Sequence, residues 1–105
     1  MTYHPRPMAL TSKQRQYLKG LAHALEPVVR VGKGRLTPAL VAETRRSIEA
    51  HELIKVRIES DDAAERREIA ARLAAETGAE VAGTIGKLAI LYRPREEKPK
   101  IRLPQ

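Results

Sequence analysis

Three helix starts punctuate this chain of 105 residues, and short aliphatic runs separate them, which confines the fold to helices packed on a small sheet. Thr11 with Gln14 three residues on has the spacing of a capping box. Behind it Tyr17, Leu18, Leu21 and Leu25 share one helical face, and Pro27 stops the helix. Thr37-Pro38 is an N-cap followed by proline at the first helical position, and Leu40, Val41, Thr44, Ile48 and His51 fall on one face behind it. Asp62 with Glu65 opens a third helix whose inner face is Ile69, Ala70 and Leu73 and whose end is capped by Gly78.

Between these helices the period changes to two. Val28–Val31 reads as a short strand, and in Leu53–Glu59 the apolar Ile54, Val56 and Ile58 alternate with Lys55, Arg57 and Glu59. Val81–Ile85 and Lys87–Tyr92 read as two strands joined at Gly86. The order is α-β-α-β-α-β-β, and right-handed crossovers put the second and third helices on one face of a four-stranded mixed sheet. The fold class is therefore α/β with three helices. With no Phe or Trp, the core is built from Leu, Ile, Val and Ala, helped by Tyr17 and Tyr92. One domain over 11–94 is expected, between a flexible N-terminal tail over 1–10 and a basic C-terminal tail over 95–105. The latter is proline-spaced and charged, a tail or a clamp rather than core, and truncation after Pro94 is expected to leave a folded domain.

Charge along the chain is segregated. Residues 1–35 carry seven Lys or Arg against one acid, residues 36–86 carry seven against ten, and residues 87–105 carry six against two. A net charge of +7 distributed in this way favours a polyanionic partner. Without cysteine there is no disulfide, thiolate metal site or cysteine nucleophile, which fits a cytoplasmic setting. The first ten residues lack the apolar run of a signal peptide, and no membrane span is expected.

Gly32-Lys33-Gly34-Arg35 is the best candidate site. Glycines let a phosphate approach the backbone, the helix that follows offers free N–H groups, and two cations add charge. Neither a Walker loop nor GxGxxG is present, so nucleotide binding by those devices is not expected. Arg15, Lys19 and His23 form a second basic stripe on the first helix. His4, His23 and His51 have no partners at ligand spacing, so no metal or cofactor is expected. Three tyrosines are too few for the stacking platform of sheets that read single-stranded bases, so contacts to the backbone of folded RNA fit better.

The blocks LTSKQRQYLKGLAHALEPVVRVGKGRLTPALVAE, HELIKVRI and TGAEVAGTIGKLAILYRP, in that order, resemble the CRM domain (chloroplast RNA splicing and ribosome maturation), most closely its free-standing bacterial members. The resemblance runs from Leu10 to about Pro104. It implies a fold similar to the C-terminal domain of bacterial translation initiation factor three, RNA binding, and association with precursors of the large ribosomal subunit; plant relatives act in group II intron splicing. The family's loop is typically Gly-x-x-Gly. Here Gly32 matches the first glycine, Lys33 and Gly34 fill the variable places, and Arg35 stands at the second glycine. Either Gly34 takes the left-handed conformation and Arg35 becomes an added phosphate ligand, or the loop is altered and affinity rests more on the first-helix stripe.

The expected function is non-enzymatic binding of structured rRNA, in pre-ribosomal particles of the large subunit, with no small-molecule substrate. Gly32, Lys33, Gly34 and Arg35 cradle backbone phosphate, and Arg15, Lys19 and Arg30 extend the track. A basic adaptor that binds an acidic protein partner is the alternative, with a small phosphate-handling enzyme behind it.

Overall fold

A computed structural model describes residues 10–34 and 36–105, so residues 1–9 of the tail expected over 1–10 and the loop residue Arg35 lie outside the described residues, whereas Leu10 of that tail is buried in the core. The elements run α1 (Ser12–Ala22), β1 (Pro27–Val31), a 3-10 turn (Gly32–Gly34), α2 (Pro38–His51), β2 (Leu53–Ile58), α3 (Ala63–Thr77), β3 (Glu80–Ile85) and β4 (Leu88–Tyr92). All three anticipated caps form. Thr11 and Gln14 exchange both capping-box hydrogen bonds, at 3.0 and 3.1 Å. The Thr37 hydroxyl accepts from the Leu40 N–H at 3.1 Å, and Asp62 accepts from Ala64 and Glu65 at 2.9 and 3.3 Å. Gly78 ends α3 in the left-handed conformation, with φ 72.

The sheet order is β1-β2-β4-β3. β1 and β2 are parallel, whereas β4 pairs antiparallel with both β2 and β3. Alternation in β2 sorts the two faces. Ile54, Val56 and Ile58 join Val29, Val31, Ala89 and Leu91 under α2 and α3, which contribute Ile48, Ile69, Ala70, Leu73 and Ala74. On the other face α1 covers Leu53, Ala82, Ile90 and Tyr92 with Leu18 and Ala22.

α1 sits differently from the sequence expectation. Its buried line is Leu18 and Ala22, while Tyr17 and Leu21 are 42% and 39% exposed. Only Tyr92 of the two tyrosines enters the core. The small side chain of Ala22 lets the helix lie close to the sheet along its i, i+4 line, which turns the Tyr17–Leu21 line outward. Leu21, together with Leu25, Val28 and Ile54, lines an apolar hollow of about 440 Å³.

The C-terminal segment is a clamp. After β4 it folds back over the α1 face, where Ile101 and Leu103 pack against the second cluster. Its anchor is Glu52, a fully buried carboxylate between α2 and β2. That carboxylate accepts from the backbone N–H groups of Arg95 at 2.8 Å, Lys100 at 2.8 Å and Ile101 at 3.1 Å. Gln14 of α1 then donates to the Pro104 carbonyl at 3.0 Å. Burial alone would oppose ionisation of Glu52, but the three N–H donors and the nearby Arg95 charge outweigh it and hold the pKa below the ordinary 4.5.

Candidate nucleic-acid interface

Parallel pairing of β1 with β2 brings two strand-to-helix junctions to one end of the sheet. The first is the Gly32–Gly34 turn leading to α2, and the second is Ser60–Asp62 leading to α3. The β3–β4 hairpin turn joins them there, because the Ile58 N–H donates to the Lys87 carbonyl at 2.8 Å. A second bond, from the Glu59 N–H to the Val31 carbonyl at 2.8 Å, ties the β2 exit to the root of the glycine turn.

Within the turn Lys33 is left-handed, with φ 51 and ψ 30, a conformation that one of the two sequence expectations gives to Gly34. Lys33 is exposed, as is Gly32, where an added Cβ would meet nothing within 4 Å. Gly32 therefore keeps a path to the backbone open rather than avoiding a collision. The two helix N-termini at this end differ. Asp62 and Glu65 already compensate α3, whereas α2 has the neutral cap Thr37 and no acid in its first turn. The partial positive charge at the start of α2 has no acidic side chain in its first turn to offset it.

Cations gather around these junctions. Lys87 pairs with Asp61 at 3.1 Å, and the Asp61 carboxyl is held below its ordinary value first by that hydrogen bond, with the Lys33 charge contributing. Arg66 donates to the Gly86 carbonyl at 3.1 Å and to the Ser60 carbonyl at 2.6 Å. Arg30, on β1, lies 3.6 Å from Glu59, which also takes Arg57 at 3.0 Å. The hydrogen bond from Arg57 is the main reason the Glu59 carboxyl sits below its ordinary value, against a smaller effect of burial.

Of the residues singled out from sequence, Gly32, Lys33, Gly34 and Arg30 come together at this end. Arg15 and Lys19 do not join them; they stand over β3, at the opposite edge of the sheet from β1. Arg15 donates to the Val81 carbonyl at 2.9 Å, where the register of β3 shifts, so it fastens the helix to a bulge. Lys19 lies across Gly83, where a Cβ would collide with its side chain. Lys87 and Arg66 went unnoticed in the sequence reading, and only the β2–β4 register brings Lys87 beside the glycine turn. Among the described residues, no three His, Asp or Glu side chains are grouped to hold a metal ion. The arrangement suits binding of an extended anion through backbone N–H groups and the surrounding cations.

A family model described as the CRS1 / YhbY (CRM) domain matches residues 10–93. An RNA-binding protein of Haemophilus influenzae is 45% identical over 96 residues, spanning 91% of this chain and 96% of that one. A relative in Bacillus subtilis, named a probable RNA-binding protein, is 33% identical over 95 residues, spanning 90% of this chain and 99% of its own. The solution structure of a Staphylococcus aureus protein, described as an RNA-binding candidate, superposes with a TM-score of 0.81 at 34% identity, covering 90% of this chain and 99% of that one.

Proposed function

This chain belongs to the CRS1 / YhbY (CRM) domain family, and from that premise we propose that it binds RNA through the glycine-turn end of the sheet, with structured rRNA of large-subunit precursors in the cytoplasm as its target. The observation that carries the reading is the open, left-handed Lys33 turn set directly before an uncompensated helix N-terminus. Gly32 and Gly34 present backbone to a phosphate, while Lys33 and Arg35 supply charge. Arg30, Arg66 and Lys87 extend that positive surface over the neighbouring junctions. The role is that of a binding module and involves no bond making.

A salt titration tests it. If about four to six phosphates are neutralised, log affinity for a folded large-subunit rRNA fragment falls against log salt, with a slope of roughly −3 to −4 where the contacts are to its single-stranded segments. Affinity for that fragment should exceed affinity for a length-matched DNA duplex across the range. Equal affinity for both, or a flat salt response, overturns the reading.

A further inference from the structure

α1 leaves part of its own sheet face bare. Cross-strand registers align Ile85 with Leu88, Leu88 with Arg57, and Arg57 with Arg30, one residue from every strand. All four point to the α1 side, because their neighbours Ala89, Ile58 and Val31 are buried under α2 and α3. The adjoining row, with Ile90, is covered by α1, but this one is open at its edges: Ile85 is 54% exposed and the Arg30 side chain 70%, while Leu88 and Arg57 between them are half-buried. Four strands make the row roughly 14 Å wide.

Two features say what covers it. The row is half aliphatic and half guanidinium, and Glu59 takes both arginines through their Nε edges, so their terminal nitrogens are not engaged by that carboxylate. Lys19 overhangs the far side at Gly83, so three cations surround a strip that contains one carboxylate. The row also adjoins the glycine turn, since Arg30 is two residues before Gly32 and Glu59 is bonded to Val31. An acidic peptide would match the charge but would leave the flat aliphatic half unused. Nucleobases match both halves, because they stack on guanidinium and aliphatic surfaces while their phosphates meet the cations.

We propose that this row is a platform for unpaired nucleotides of an RNA whose backbone is held at the Lys33 turn; the inference rests on the RNA-binding reading above. It makes the preferred ligand a junction between paired and unpaired RNA, read without sequence preference because every base has a stacking face.

The experiment compares two RNAs by fluorescence anisotropy at one salt concentration: a duplex with a short single-stranded 3′ extension, and a longer blunt duplex of equal phosphate number. The extended RNA is expected to bind roughly tenfold more tightly than the blunt one. In the double variant Ile85→Ser/Arg57→Lys that ratio should fall to within about twofold. The single variant Ile85→Ser, at an exposed edge position, should narrow it on its own and guards against a folding defect in the double. No preference in the parent, or an unchanged ratio in both variants, overturns the platform. If Lys33→Glu weakens binding to both RNAs in that case, RNA binding at the turn stands without it. Absence of binding to either RNA overturns both readings.

Discussion

Two non-glycine residues with positive φ flank α2, and they are used in opposite ways. Lys33, with φ 51, lies before the helix, and Glu52, with φ 65, ends it. A helix of 14 residues puts them about 20 Å apart, at opposite ends of the molecule. At Glu52 the strained backbone turns a carboxylate inward, where three N–H donors of the C-terminal segment close on it. At Lys33 it turns a cation outward, and the charge influences Asp61 without pairing to it. Strain at one end is offset inside the fold; at the other, on the proposed function, a bound phosphate would make use of it. The difference separates stability from binding, so substitutions at the two ends should have separable effects.

The largest effect should come from Glu52→Leu, which removes the acceptor of three N–H groups. A loss of roughly 3 kcal/mol in urea unfolding is expected, with hydrophobic contact of the leucine recovering little of it. Truncation after Pro94 should destabilise by a similar amount, because it takes the donors away along with Ile101 and Leu103. The domain that the sequence led us to expect after such a truncation would then be marginal. The same bond predicts a pH response. With the native pKa below 4.5, the clamp contributes fully above that value and is lost as the pH falls through the native pKa. Acidification below 4.5 should therefore lower the unfolding midpoint of the parent more than that of Glu52→Gln. Equal acid sensitivity in the two proteins would detach Glu52 from the clamp.

This asymmetry was half legible in the chain. The caps at Thr11, Thr37 and Asp62, the alternation in β2 and the order of elements follow from local chemistry, and local chemistry survives folding here. Glu52 was not legible. Its position in HELIKVRI looks like an exposed helix end, and its partners are the backbone amides of Arg95, Lys100 and Ile101, which carry no side-chain signature. The glycine turn was found because a glycine loop before Thr37-Pro38 is a contiguous signal. The placement of Arg15 and Lys19 over β3 was not, because helical spacing fixes which residues share a face but not which strand that face meets. Lys87 entered the site through sheet register, a long-range property that no local window contains.

At the loop end the double variant Lys33→Ala/Arg35→Ala should lower affinity for the rRNA fragment roughly tenfold and make the salt slope shallower by about two. Its unfolding midpoint should match the parent, since Lys33 is exposed and holds no hydrogen bond among the described residues. A shifted midpoint with unchanged affinity would reverse the roles assigned to the two ends of α2.

The smallest effect is the most diagnostic. Lys33→Gly relieves a left-handed conformation that costs a side-chain-bearing residue about 1–2 kcal/mol, against about 0.5–1 kcal/mol of extra chain entropy lost by glycine. A net gain in stability of about 0.5 kcal/mol is therefore expected, together with weaker RNA binding and a salt slope shallower by about one. At Glu52, where φ 65 is paired with ψ −37, the corresponding change to glycine also relieves a positive-φ backbone, yet it should destabilise, because the carboxylate and its three bonds go with it. Opposite signs for one substitution at two positive-φ positions would show that the Lys33 turn is held against its own preference for the sake of binding. A loss of stability on Lys33→Gly would place the lysine among the structural residues instead.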